Sequence, residues 1–369
     1  GADLATEECR MSEENNAILN RSDEPPNQMW VPDTEELERL IRIVAENSRS
    51  FFALADDDSF TLINHSENMT YRIDCSNGEK LILRVHREGY QSHENIMSES
   101  AWMKALQEDA GILTPQARSG IDGKLIQRVS APQIGSRNCV LINWIDGEMP
   151  QETGELSDLL EPFTQFGGIT AHLHRHALEW QRPEFFQRQC WDLDGTIGDQ
   201  PIWGRYLEGQ GLTDEDKGLL KKCGDLIKDR LEQFGKSPDR FGLVHADLRL
   251  ANLLIYQGSI RVIDFDDCGL GWCLYDIGAA LSFMEDRKDV PELVEAWVKG
   301  YLEVRSLSEE EIAEIPTFIM LRRLTLLGWA ASRGQTGALA SELGVPFSRG
   351  TCQLARTYIE KFGVAPQFP

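Results

Sequence analysis

Positive charge is what this sequence has least of. Of its 369 residues 37 are Lys or Arg and 60 are Asp or Glu, so the formal net charge is −23. Non-specific nucleic-acid binding needs cations to displace the counterions of phosphate, so the charge balance argues against that class of partner. Docking on anionic lipid is disfavoured for the same reason. No apolar run approaches the roughly 20 residues of a membrane span. The longest, Cys139 to Ile145, has the length of a strand. The N-terminal residues are acidic where a secretory signal would be basic and then apolar. The 8 cysteines form no C-x-x-C pair, and the nearest two are Cys268 and Cys273. This usage predicts free thiols in a reducing cytoplasm and no zinc site.

What is present is an ordinary globular composition, 41% hydrophobic and 26% charged, in a chain long enough for about two domains. Residues 1–32 are polar and acidic and read as a flexible tail. A helix is predicted from Asp33-Thr34, with Leu37, Leu40, Ile41 and Val44 on one face. Strands follow at Phe60 to Asn64, Tyr71 to Cys75 and Lys80 to His86. A helix runs from a Ser92 cap to Ala110, and strands resume at Leu125 to Val129 and Cys139 to Trp144. Beyond Gly147 the pattern becomes helical, at 156–178, 214–234, 290–304 and 309–332. It is interrupted by a hairpin of Asn252 to Tyr256 and Ser259 to Phe265. The expectation is an α+β protein of two lobes, a β-rich one at 33–145 and a larger helical one at 146–369. Ligands often bind between such lobes.

The strongest chemical signal is His245-Ala246-Asp247-Leu248-Arg249-Leu250-Ala251-Asn252. It fits H-x-D-L-x-x-x-N, the catalytic loop of kinases with its second residue changed. Four fixed positions predict only about 0.002 chance matches in a chain of this length. The hairpin then delivers Val262-Ile263-Asp264-Phe265-Asp266-Asp267. Between Asn252 and Asp264 there is room for two short strands and a tight turn, so the ends return close together. The residue types suit phosphoryl transfer, which needs positioning and charge neutralisation more than covalent help. Magnesium takes hard oxygen ligands, so the Asp264 carboxylate and the Asn252 amide oxygen are its expected partners. Asp247 is the expected catalytic residue, orienting an acceptor hydroxyl and taking its proton. His245 is expected to brace the loop.

These motifs, with Tyr275-Asp276-Ile277-Gly278 just after them, resemble the aminoglycoside phosphotransferase and choline kinase family. The resemblance covers about residues 50 to 330 and implies a bilobal protein-kinase-like fold, with ATP and Mg2+ as cofactors. It implies transfer of phosphate to a hydroxyl of a small polar or cationic molecule, aminoglycoside-, choline- or homoserine-like. Asn64 to Arg72 resembles the family's phosphate-covering turn, which implies nucleotide contact through Ser66 and Asn68. Leu81 to Arg87 is similar to its third strand, which presents a cation to phosphate. Here that cation is Arg84, and Glu99 in Ser98-Glu99-Ser100-Ala101-Trp102 stands where the family's paired Glu does. Cys139 to Gly147 resembles the hinge, where backbone groups near Asn143 and Ile145 would meet adenine.

The departures sharpen this reading. There is no G-x-G-x-x-G loop, Ala246 stands where a protein kinase has Arg, and Asp266 stands where it has the Gly of D-F-G. No A-P-E follows. Two other readings share the motifs, a stress-response-type protein Ser/Thr kinase and a nucleotide-binding pseudokinase that regulates a partner. A dead scaffold has no chemical need of the intact Asp247, Asn252 and Asp264. Asp266 and Asp267 are candidates for substrate contact. Asp276 is expected to be a buried carboxylate accepting loop amide protons at a helix start. His172, His174 and His176 have no third metal ligand, so packing against the catalytic loop is expected of them. The expected partner is a small hydroxyl-bearing substrate, with no nucleic acid and no membrane, and no residue pattern points to an oligomeric state.

Overall fold

The computed structural model of the protein describes residues 8–9, 34–150, 154–333 and 338–363. The acidic tail predicted at 1–32 lies outside the described residues except for 8–9. Two compact units divide the chain. One comprises residues 34–146 together with Arg182–Arg188, and the other takes Gly147–Gln181, the described residues from Gln189 onwards, and residues 8–9. Arg182–Arg188, which the predicted boundary assigned to the helical lobe, pack with the sheet-bearing unit.

That first unit is built on an antiparallel sheet of β1 (Ser59–His65), β2 (Met69–Asp74), β3 (Lys80–Val85), β4 (Ala117–Arg118), β5 (Ile126–Ala131) and β6 (Gly135–Asn143). The strand order is β1-β2-β3-β6-β4, and β5 pairs with β6. Helices α1 (Thr34–Asn47) and α2 (His93–Ala110) pack with it. Strand periodicity sorts the side chains by face. Leu81, Leu83 and Val85 of β3 join Tyr71, Ile73 and Leu141 in a core closed by Ile41, Val44 and Ala45 of α1. Ile82 turns the other way, towards Ile96 of α2 with Ile126, Val140 and Ile142. Arg84 shares that second face. Ser92 caps α2, its Oγ accepting the Asn95 N–H at 3.1 Å, and Gly111 ends it at φ 64°, a conformation glycine adopts without strain.

Helices dominate the second unit: α3 (Leu156–Glu179), α4 (Asp214–Phe234), α5 (Tyr275–Ala280), α6 (Val290–Leu302), α7 (Glu309–Arg333) and α8 (Ala338–Phe362). Strands β7 (Cys190–Trp191), β8 (Phe241–Val244) and β11 (Gly269–Trp272) form a small sheet in the order β7-β11-β8. Strands β9 (Leu253–Tyr256) and β10 (Ser259–Val262) form a hairpin. The second hairpin strand stops at Val262, short of the predicted Phe265, because Asp264 takes a positive φ. No helix among the described residues is long and apolar enough to cross a membrane.

The cysteine reading needs one correction. Cys9 and Cys190 are joined by a disulfide, with Cα atoms 5.4 Å apart although they are 181 positions apart in sequence. Pairing depends on this spatial separation, not on short sequence spacing, so a search for C-x-x-C could not find it. The other six cysteines are free thiols, as expected.

Helices α3 and α6 cross at glycines. A Cβ on Gly300 would lie 1.7 Å from the Thr164 carbonyl oxygen, and one on Gly167 would lie 1.8 Å from that of Trp297. Backbone cannot yield as a flexible side chain does. Gly300→Ala is expected to destabilise the protein by about 3 kcal/mol or more, read as a lower urea midpoint. An unchanged midpoint would show that the crossing relaxes freely.

Candidate active site

Strand β8 feeds the loop that begins at His245, and Ala246 turns it through a left-handed conformation at φ 67°. A non-glycine residue rarely adopts this and needs support from its surroundings. The support is two buried ions. The Asp276 carboxylate, at the start of α5, accepts the Ala246 N–H on Oδ1 at 2.8 Å and the His245 N–H on Oδ2 at 3.3 Å. From α7, Arg322 donates Nη1 to the Ala246 carbonyl at 2.9 Å and Nη2 to Asp247 Oδ1 at 2.5 Å. Its Nε is held by Ser282 Oγ at 2.9 Å, and its guanidinium lies over the rings of Trp203 and Tyr275.

A directional chain of donors stands behind Asp276. Arg305 donates to the Tyr301 hydroxyl at 2.7 Å, which leaves that hydroxyl to donate to His174 Nδ1 at 2.8 Å. The proton of His174 therefore sits on Nε2 and is donated to Asp276 Oδ2 at 2.8 Å. Burial pushes the His174 pKa below its ordinary value against the opposing pull of Asp276. The expected roles of Asp276 and His174 as supports of the loop match this geometry.

The loop gathers the catalytic candidates. Asn252 donates its Nδ2 to the Asp247 carbonyl at 2.8 Å and to Asp247 Oδ2 at 2.9 Å. Its amide oxygen is thereby left for another partner. The β9–β10 hairpin pairs Leu253 with Val262, and the Ile263 N–H donates to the Asn252 carbonyl at 3.0 Å. Asp264 is the next residue, at φ 59°. His245 fastens both sides of it. The Asp247 N–H donates to His245 Nδ1 at 3.3 Å, so Nε2 carries the proton and donates to the Ile263 carbonyl at 3.1 Å. The imidazole also packs on the Phe265 ring at 4.6 Å. An amide oxygen and a carboxylate on one short segment are the hard donors that magnesium takes.

Asp247 is unusual in its charge environment. Burial alone would push its pKa up, but Arg249 (Nε to Oδ2, 3.6 Å), Arg322 and His245 outweigh burial and hold it below the usual carboxylate range. Arg322 is itself fully buried, and Tyr275 and Asp247 raise its pKa despite the opposing effect of burial. Of the substrate candidates, Asp266 is buried and Asp267 half-buried. The Asp267 carbonyl accepts Trp191 Nε1 at 2.8 Å.

In the sheet-bearing unit, Arg84 of β3 donates Nη1 to Glu99 Oε1 of α2 at 2.7 Å. Glu99 lies one turn beyond Ile96 and shares its face. Ser66 is exposed in the β1–β2 turn, where its N–H donates to the Asn68 carbonyl at 3.2 Å. Asn68 is buried and accepts the Arg87 N–H on Oδ1 at 3.0 Å, tying the turn to the end of β3. Asn143 ends β6, and its N–H and Oδ1 bond to the Gln116 backbone at 3.0 Å and 2.5 Å. Ile145 follows, past the strand.

The sequence reading missed Arg322, Arg249, Tyr301 and Arg305. A signal for the first existed. Arg322-Arg323 interrupts an apolar run from Phe318 to Leu327, and both arginines are buried. Charges set in such a run need buried partners.

Similarity to known proteins agrees with this geometry. The sequence profile of the phosphotransferase enzyme family matches residues 59–314. The chain is similar to the amicoumacin kinase of Bacillus subtilis strain 168, 26% identical over 281 residues that span 73% of this chain and 79% of that one. It is similar in structure to a microcompartment-associated aminopropanol kinase, at TM-score 0.79 and 37% identity, over 88% of this chain and 99% of that one. An amicoumacin kinase in complex with AMP-PNP, Ca2+ and Ami shares the fold at TM-score 0.69 and 22% identity, covering 89% and 96%. With the family profile spanning well over half of its length, a protein-kinase-like α+β fold, and the Asp247, Asn252 and Asp264 segment in place, the chain belongs to the phosphotransferase enzyme family.

Proposed function

We propose that this protein transfers the γ-phosphoryl group of ATP, with Mg2+, to a hydroxyl of a small amine, a short amino alcohol of the aminopropanol or homoserine type. The observation that carries the reading is the contact of Asp247 with Asn252, one backbone hydrogen bond from the residue preceding Asp264. The amine class is supported by the 37% identity to the aminopropanol kinase along nearly the whole of both chains. A net charge of −23 is compatible with a cationic acceptor. Use of ATP points to the cytoplasm. Nothing in this chemistry calls for nucleic acid or a membrane.

In this reading Arg84, braced by Glu99, grips nucleotide phosphate. A guanidinium does so bidentately and stays charged when buried. Ser66 and Asn68 cover the phosphates, and backbone near Asn143 and Ile145 meets adenine. Asn252 and Asp264 hold the divalent ion, which neutralises charge on the transferring phosphoryl oxygens. Asp247 accepts a hydrogen bond from the acceptor hydroxyl and fixes its line of attack. Because Arg249 and Arg322 favour the ionised form, Asp247 is a carboxylate throughout the working range. Its low basicity suits a loose transition state, in which the hydroxyl proton is lost late.

The roles separate experimentally. Asp247→Ala should keep Mg·AMP-PNP affinity within a few-fold while ADP release with aminopropanol falls about 10² to 10⁴-fold. Equal turnover would contradict the role. Asp264→Ala should instead weaken Mg2+-dependent nucleotide binding by calorimetry, and binding that keeps its Mg2+ dependence would remove Asp264 from the metal site.

The charge argument has a pH signature. Removing Arg322 leaves burial less opposed, so the Asp247 pKa must rise. Arg322→Met should therefore bring a new acidic limb into kcat/KM as pH falls from 8 to 5, and Arg322→Lys should move it back. A profile for Arg322→Met that superposes on the wild type after scaling would refute the account.

A further inference from the structure

The segment Arg182–Arg188 packs with the sheet-bearing unit although its flanks belong to the other. Its polar groups converge on α2 around Glu99. The Gln187 N–H donates to Ser98 Oγ at 2.8 Å. Arg188 donates Nη1 to Gln91 Oε1 and to the Asn95 carbonyl, both at 2.9 Å. In an α-helix the Asn95 carbonyl is also the acceptor of the Glu99 N–H. The segment thus holds the residue beside Glu99 and the carbonyl one turn before it.

This arrangement is buried and charged. Arg188 is 1% exposed, Ser98 0% and Glu99 2%. His86, two residues beyond Arg84 and on the same strand face, is buried with no hydrogen-bond partner on either ring nitrogen. Burial, then Arg84 and Arg188, drive its pKa well below the ordinary value. A buried arginine is kept only where its donors are satisfied. Nη1 of Arg188 is spent on Gln91, just before α2, and on the Asn95 carbonyl in its first turn, one turn before Glu99.

We propose that Arg188 is a positioning residue for nucleotide binding, acting through α2 to set where Glu99 holds Arg84. The inference rests on the reading of Arg84 as the phosphate grip. The tie is built into the fold and involves no phosphorylated loop. In the helical unit, the Gln189 carbonyl, just before β7, accepts the Leu270 N–H at 2.9 Å. Trp191 Nε1 bonds to the Asp267 carbonyl at 2.8 Å.

The test is a thermodynamic cycle read by calorimetry with Mg·AMP-PNP on the full chain, below the melting temperature of every variant. Arg188→Met should weaken binding about tenfold, and Arg188→Met with Glu99→Gln should be no weaker than the worse single variant. A merely structural role would lower the melting temperature and leave the affinity of the folded protein unchanged. If Arg188→Met fails to fold, Gln91→Leu removes one acceptor and should show a smaller loss with the same non-additivity. Wild-type affinity in the folded variant, or effects that multiply in the double variant, would overturn the proposal. Arg84→Ala separates the two layers. If it binds Mg·AMP-PNP as tightly as the wild type, the phosphate-grip reading fails and the positioning role falls with it. If it weakens binding while Arg188→Met does not, the positioning role alone is wrong.

Discussion

Two buried ions of opposite sign hold the turn on which this protein's chemistry depends. Asp276 takes the amide protons of His245 and Ala246, and Arg322 takes the Ala246 carbonyl and an Asp247 carboxylate oxygen. Burying a charge is expensive unless nearly every lone pair and proton finds a partner. Here the partners are the backbone and carboxylate of the catalytic loop itself. Desolvation of the two ions is therefore offset only when the loop adopts its left-handed turn at Ala246. The strained backbone and the buried charges stabilise one another.

In the proposed mechanism the same contacts tune the chemistry. A carboxylate buried alone would be protonated near neutral pH and could not receive a hydroxyl proton. Arg322 and Arg249 reverse that tendency at Asp247, at the expense of basicity. Phosphoryl transfer through a loose transition state tolerates this exchange, because orientation of the acceptor matters more there than early proton removal. The amide of Asn252 has a divided role. Its nitrogen fixes Asp247, and in the proposed mechanism its oxygen is kept for the divalent ion.

Much of this was legible in the sequence, and for local reasons. Strand alternation in β3 and the Ser92 cap of α2 place Arg84 and Glu99, and their contact follows from one sheet face meeting one helix face. The H-x-D-L-x-x-x-N spacing and the short hairpin bring Asp247, Asn252 and the Asp264 segment together because every connection is short. What stayed hidden was long-range. Arg322 is 75 residues from Asp247 in sequence, and Arg188 is 97 from Gln91. Neither distance is encoded in any local period. Cys9 and Cys190 escaped for the same reason. The two-residue strand β7 is too short to show alternation at all.

The central claim is chemical transfer to a small amino alcohol. Phosphorus NMR of the protein incubated with ATP, Mg2+ and aminopropanol tests it most directly. The account predicts a phosphomonoester resonance growing in step with ADP, and its absence when Asp247→Ala replaces the wild type. Growth of inorganic phosphate alone, or label confined to polypeptide when radioactive ATP is used, would contradict it.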